Sequence, residues 1–131
     1  MASYAARGSL LEYTGRPKEA IVDFEIAMRL NPSMGSGRME PVGWAYYLDH
    51  RYGDAVRVLE AGRRTSPDDY FIYAGLAASY AQLERKDEAA RAAEDVRRVW
   101  PFFKVDDFIA QFQGEADRAL IAEGLRKAGL H

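Results

Sequence analysis

Hydrophobic positions recur with a helical period along residues 70–101. A first segment has apolar side chains at positions i, i+3, i+4 and i+7, which is typical of one buried helix face; they are Tyr73, Leu76, Ala77 and Tyr80. Charged residues follow at 84–88, where we expect the chain to turn. A second segment again has small and apolar residues on one face, namely Ala89, Ala93 and Val96, and Pro101 ends it. The pattern predicts two short helices that pack against each other.

The same pattern occurs twice upstream. The second helix of each unit has the marks Ala20, Phe24, Ala27 and Pro32; then Ala55, Leu59, Gly62 and Pro67; then Ala89, Ala93, Val96 and Pro101. The three prolines lie 35 and 34 residues apart. The first helices have the marks Tyr4, Gly8 and Leu11; then Met39, Gly43 and Tyr46; then Tyr73, Ala77 and Tyr80. Three units in register predict an all-α fold of three helix-turn-helix repeats.

This spacing and these residue types resemble the tetratricopeptide repeat (TPR), whose period is about 34 residues. The resemblance implies a right-handed α-solenoid that forms a single domain over residues 1–131. We expect repeats at about residues 2–34, 36–68 and 70–103, followed by a C-terminal helical cap at 104–130. The stretch 33–40 departs from the pattern, because it has two glycines and two serines where a helix should run. Since proline is tolerated only in the first turn of a helix, Pro41 predicts a short helix from about Glu40 to Asp49.

The repeat pattern ends after Pro101. An apolar cluster follows and predicts one short helix; its members are Phe102, Phe103, Val105, Phe108, Ile109 and Phe112. Gly114 breaks that helix, and residues 115–128 predict a final amphipathic helix ended by Gly129. Because the last repeat of a solenoid needs a cap, we expect the phenylalanines to cover the open edge of the third repeat.

Composition and charge exclude several classes of function. The net charge of −2 offers no basic field for nucleic acid or for an anionic membrane surface. No apolar run approaches the ~20 residues of a membrane span, so we predict no membrane association. The chain has no cysteine, which excludes thiol catalysis and thiolate metal sites. These features favour a cytoplasmic location.

Candidate catalytic or metal-binding residues are sparse. His50 and His131 have no partner at a ligand spacing, and the GSG at 35–37 lacks the strand, helix and lysine of a phosphate loop. The aspartate pairs at 68–69 and 106–107 point about 100° apart on a helix, so capping explains them better than shared catalysis. We therefore predict no enzyme activity, no metal and no cofactor.

A binding surface remains as the candidate site. In stacked helical hairpins the first helices line the concave wall, so their side chains that are not needed for packing form a candidate partner groove. These residues are Ser9, Glu12, Tyr13, Trp44, Tyr47, Leu48, Phe71, Ala78 and Gln82. Aromatic residues provide large contact area at such centres. An equally weighted alternative is that Trp44 and Tyr47 fill internal space left by the loop at 33–40.

Two narrower comparisons refine the resemblance. One TPR subclass grips chaperone C-termini with lysine, arginine and asparagine, but the matching positions of this chain are Ala5, Ser9, Pro41, Phe71 and Gly75. A chaperone-tail adaptor is therefore not expected. Residues 66–130, from SPDDYFIYAGLAASYAQL to EGLRKAGL, are similar to the C-terminal TPR region of bacterial class III adenylate/guanylate cyclase-type proteins. That similarity implies a regulatory segment of a larger bacterial signalling protein.

The first functional hypothesis is a non-catalytic interaction or scaffold module that binds a peptide or a partner domain in its groove. The second is self-association of the parent protein, in which the N-terminal edge pairs with a second copy. The third is a small-molecule sensor domain that regulates an attached cyclase.

Overall fold

The structure, a computed structural model, describes residues 17–30, 39–112 and 114–131. Those residues form seven helices and no strand, so the all-α prediction is confirmed. The helices are α1 (Pro17–Leu30), α2 (Met39–Leu48), α3 (Tyr52–Thr65), α4 (Tyr70–Gln82), α5 (Lys86–Val99), α6 (Val105–Ile109) and α7 (Glu115–Lys127). The first helix of the first predicted repeat, with the marks Tyr4, Gly8 and Leu11, lies outside the described residues, as does most of the predicted loop, at 33–38.

Local sequence accounts for the helix ends. The side chain of Asp69 accepts a hydrogen bond from the backbone N–H of Phe71 at 3.0 Å, and it thereby caps the start of α4 as predicted. His50 and Glu84 form the turns after α2 and α4 with positive φ angles of 63° and 61°. This left-handed conformation reverses the chain within a few residues, so α2 packs against α3 and α4 packs against α5.

Glycines allow the helices of successive pairs to pack closely. The side chain of Leu59 in α3 lies between Gly43 of α2 and Gly75 of α4. A Cβ atom at Gly75 would lie 2.7 Å from Leu59 Cδ1, and one at Gly43 would overlap the branched end of the leucine. Leu59 is completely buried as a result. One leucine therefore joins α2, α3 and α4 into a single core.

Two polar clusters also connect successive pairs, and they have the same composition. In the Tyr46 cluster, the Tyr46 hydroxyl donates to Glu25 Oε2 at 3.1 Å, and the Arg51 guanidinium lies 4.7 Å from the tyrosine ring centroid. The equivalent Tyr80 cluster consists of Tyr80, Glu60 and Arg85, with a Tyr80 Oη to Glu60 Oε2 distance of 2.7 Å. The tyrosines and the arginines are each 34 residues apart, and the glutamates are 35 apart. The same side-chain contacts therefore recur at the spacing of the sequence pattern.

The C-terminal arm, which we define as α6, α7 and the residues up to 131, folds back over earlier helices. α7 packs mainly on α4, and it also contacts α2 and α6. Phe108 and Phe112 pack on Trp44 of α2, while Phe102 is 81% exposed. Phe108 also contacts Phe71 and Tyr70 of α4, with ring centroids 5.1 Å and 6.2 Å apart, and Phe103 contacts Tyr70. Phe103 and Phe108 therefore lie against the first helix of the predicted third repeat, whereas Phe102 does not cover it. That the arm caps a repeat array stays a prediction.

Candidate functional site

The surface formed by α2 and α4, which we call the α2–α4 face, has an aromatic end at Trp44. The Trp44 ring centroid lies 5.2 Å from that of Tyr47, 5.5 Å from Phe108 and 5.7 Å from Phe112. Its indole N–H donates to the carbonyl oxygen of Phe71 at 3.3 Å. Only 1% of Trp44 is exposed. The C-terminal arm therefore encloses this end of the face.

The other end of the face is polar. The Tyr47 hydroxyl donates to the backbone carbonyl of Leu120 in α7 at 2.6 Å, and it accepts from Gln82 Nε2 at 3.1 Å. The same Gln82 nitrogen donates to Glu123 Oε1 at 3.0 Å, and Gln82 Oε1 accepts from Lys127 Nζ at 3.3 Å. Burial raises the pKa of Tyr47, so its hydroxyl stays protonated as a donor. One tyrosine and one glutamine thus hold three residues of α7.

Gly124 lets α7 approach the face. A Cβ atom at this position would overlap the Tyr47 hydroxyl and would lie 2.9 Å from Ala78 Cβ. Ile121 and Leu125, on either side of the glycine, are completely buried. α7 therefore fits between α2 and α4 with glycine at position 124, because a larger residue there would overlap Tyr47 and Ala78.

The structure brings together most of the predicted groove residues. Trp44, Tyr47, Leu48 and Ala78 are buried, whereas Phe71 and Gln82 are partly exposed at the edges of the face. In this conformation the four buried residues are not accessible to a partner, because the C-terminal arm covers the face. Ser9, Glu12 and Tyr13 lie outside the described residues. That any of the nine binds a partner stays a prediction.

Sequence reasoning missed the residues that the arm contributes to this site: Phe108, Phe112, Leu120, Glu123, Gly124 and Lys127. One signal was present in the sequence. Gly124 interrupts an otherwise good helix within IAEGLRK, where glycine costs about 1 kcal/mol relative to alanine. A glycine in a helix interior indicates a close approach by another chain segment.

The described residues contain no group of three or more histidine, aspartate or glutamate side chains that could hold a metal ion. Asp106 of the second aspartate pair forms an exposed ion pair with Arg126 at 3.1 Å. An aromatic cleft beside Tyr70, Trp100 and Phe103 has a volume of about 290 Å³. None of the helices in the described ranges is long and apolar enough to cross a bilayer.

A comparison with models of known protein families found no match, and a comparison with curated protein sequences found no significant match. The functional conclusion therefore depends on the residues and contacts of the chain itself.

Proposed function

We propose that the chain is a TPR-type α-solenoid that serves as a non-catalytic protein-interaction module. The observation that carries the proposal is the recurrence of the tyrosine clusters. Tyr46 and Tyr80 make the same contacts to a preceding glutamate and a following arginine, one repeat length apart. Repeated contacts of this kind are typical of solenoids, in which each unit touches its neighbours and the array presents an extended binding surface.

The position of the partner in this proposal is the edge of the α2–α4 face, where the predicted groove residues Phe71 and Gln82 are partly exposed. Aromatic residues are enriched at protein interfaces, and polar contacts surround them. A regulatory role in a larger bacterial signalling protein of the cyclase type remains part of the proposal, and it is supported only by the resemblance of residues 66–130.

Site-specific photocrosslinking tests the proposal. A photoreactive amino acid replaces Gln82, which is partly exposed at the edge of the face, in cells that produce the protein. A matched control carries it at Arg57 on the outer side of α3, where the side chain is 68% exposed. We expect one dominant crosslinked polypeptide from position 82 and none from position 57. Equal crosslinking from both positions, or none from position 82, would contradict the proposal.

Self-association is the second candidate, because large apolar side chains are exposed away from the α2–α4 face. Leu30 at the end of α1 is 69% exposed and Trp100 is 49% exposed, and Phe102 lies next to Trp100 in the chain. Trp100 and Phe102 both line the cleft beside Tyr70, and an exposed apolar patch of contiguous residues marks a contact surface. Light scattering over a concentration series tests this candidate, and a monomer at the highest concentration would exclude it.

A further inference from the structure

The turn between α5 and α6 brings aromatic side chains together on the surface. Trp100 follows the last residue of α5, and the backbone N–H of Phe103 donates to the Trp100 carbonyl oxygen at 3.1 Å. Pro101 occupies the second position of this turn, where its fixed φ angle is favourable. Phe102 occupies the third position and is 81% exposed. The turn therefore fixes the backbone of these aromatic residues before any ligand binds, which lowers the entropic cost of binding.

The cleft beside Tyr70, Trp100 and Phe103, which we call the aromatic cleft, has rings at two orientations. The plane of the Trp100 ring lies at 26° to that of Tyr70, whereas the planes of Phe103 and Phe108 lie at 69° and 70° to it. The rings therefore form a corner and not a parallel slot. A flat ligand can stack on only one wall of such a corner, whereas a compact tetrahedral group can contact both walls.

Two side chains of opposite charge line the cleft next to these rings. They are Lys104 and Asp107, and both are exposed. Neither side chain forms a hydrogen bond or an ion pair with another described residue. The neighbouring Asp106, by contrast, pairs with Arg126 at 3.1 Å and does not line the cleft. The aromatic cleft therefore offers one ammonium group and one carboxylate to a ligand.

These features match one class of small molecule. The faces of aromatic rings attract cations, and methylated ammonium groups are compact tetrahedral cations that several rings bind together. The carboxylate of Asp107 complements such a cation, and the ammonium group of Lys104 complements a carboxylate. The cleft has a volume of about 290 Å³. Because pockets for small molecules range from about 300 to 1,000 Å³, a ligand that fits this cleft is small.

We propose that the aromatic cleft binds a small zwitterion in which a short linker joins a methylated ammonium group to a carboxylate. The methylated ammonium group lies in the corner of the rings beside Asp107, and the ligand carboxylate lies beside Lys104. The ligand removes water from Phe102 and from Trp100, which is 49% exposed. The inference goes beyond the proposed function and does not depend on it.

Nuclear magnetic resonance of the isotope-labelled full chain tests the inference, because the chain has two tryptophans and therefore two indole N–H signals. Trp100→Phe identifies which signal belongs to Trp100. The probe is glycine betaine, and two related compounds serve as matched probes. Dimethylbutanoate has the same shape with carbon in place of the charged nitrogen, and choline has the cation without the carboxylate. We expect glycine betaine to shift the Trp100 signal to saturation and to leave the signal of the buried Trp44 unchanged.

The relative affinities identify the groups that bind each end of the ligand. Glycine betaine should bind at least about fivefold more tightly than dimethylbutanoate, because only the former is a cation. Phe102→Leu should weaken its binding about two- to fivefold through the loss of one ring. Asp107→Asn should weaken the binding of glycine betaine and of choline, whereas Asp106→Asn, the matched control, should weaken neither. Lys104→Gln should weaken the binding of glycine betaine alone. Because all four side chains are exposed, these variants should fold as the wild type does.

Four outcomes would overturn the inference. They are no saturable shift of the Trp100 signal, equal affinity for glycine betaine and dimethylbutanoate, unchanged binding by Phe102→Leu and Asp107→Asn, and equal effects of the two aspartate substitutions. A Trp100 signal that shifts with protein concentration and not with glycine betaine would also overturn it, because a second copy of the chain would then cover the cleft. None of these outcomes involves position 82, so the interaction-module proposal keeps its own crosslinking test.

Discussion

Replacing Trp44 with alanine is the most informative single perturbation of this protein. The side chain is almost fully buried, its ring contacts three other aromatic rings, and its N–H bonds to the Phe71 carbonyl. Truncation of a buried tryptophan to alanine costs about 3–5 kcal/mol, because lost transfer free energy and a cavity both contribute. Trp44→Phe retains most of the ring but leaves the carbonyl without its donor, so we expect a loss of about 1–3 kcal/mol.

Urea unfolding followed by far-ultraviolet circular dichroism measures both losses, since this signal does not depend on tryptophan. For a chain of 131 residues, 3–5 kcal/mol corresponds to a fall in Tm of roughly 10–20 °C. Trp100→Ala is the matched control. Its ring is half exposed and stacks on Tyr70 with centroids 5.8 Å apart, so the expected loss is about 1 kcal/mol.

The reasoning fails if Trp44→Ala stays within 1 kcal/mol of the wild type. Trp44 would then lie on an open groove, and the C-terminal arm would not cover the α2–α4 face in solution. A separate outcome is informative about how the fold comes apart. A lower slope of unfolding free energy against urea in the variant would mean that the arm is already detached before the core unfolds.

Three further predictions concern the core and its hydrogen bonds. Burial and the bond to Glu60 raise the pKa of Tyr80 from 10 to about 12, so its contribution to stability is complete below pH 10 and is lost as the pH rises through 12. The free energy of unfolding in urea should therefore fall less between pH 9 and pH 12 for Tyr80→Phe than for the wild type. The Ser79 hydroxyl is buried with no hydrogen-bond partner among the described residues, so Ser79→Ala should raise the free energy of unfolding by about 1 kcal/mol, and a loss of that size would show that the hydroxyl is bonded. Gly43→Ala should lower the free energy of unfolding by about 1–3 kcal/mol because the new methyl group overlaps Leu59, whereas Gly53→Ala should leave it unchanged or raise it by up to about 1 kcal/mol. Thermal melts that rank the two variants the other way would refute the packing described for α2 and α3.

The positions of these helices could be predicted from the sequence, because the apolar period and the residues that start or stop a helix lie within or next to the helix itself. α3 runs from Tyr52 to Thr65 and contains the predicted marks Ala55, Leu59 and Gly62, since the apolar period and the Ser66-Pro67 stop lie within the same short stretch. α2, from Met39 to Leu48, lies within one residue of its predicted bounds because Pro41 restricts where a helix can start. Phe24, one of the predicted marks of α1, is buried, and so is Ile21.

The position of the C-terminal arm was not predictable in the same way. The bond from Tyr47 to Leu120 joins residues 73 positions apart, and periodicity within one helix contains no information about such a contact. For the same reason the pattern left open whether Trp44 lines a groove or fills the interior. The buried tryptophan has partners from α6, which the repeat pattern does not cover.

The contact between Tyr47 and α7 also limits how the proposed repeat array can grow. Duplication of the unit at residues 70–103 would place Ala81 where α7 now meets the Tyr47 hydroxyl, since position 81 follows position 47 by 34 residues. The returning helix would lose its donor and meet a methyl group instead. Lengthening by duplication of this unit would therefore require a tyrosine in place of Ala81.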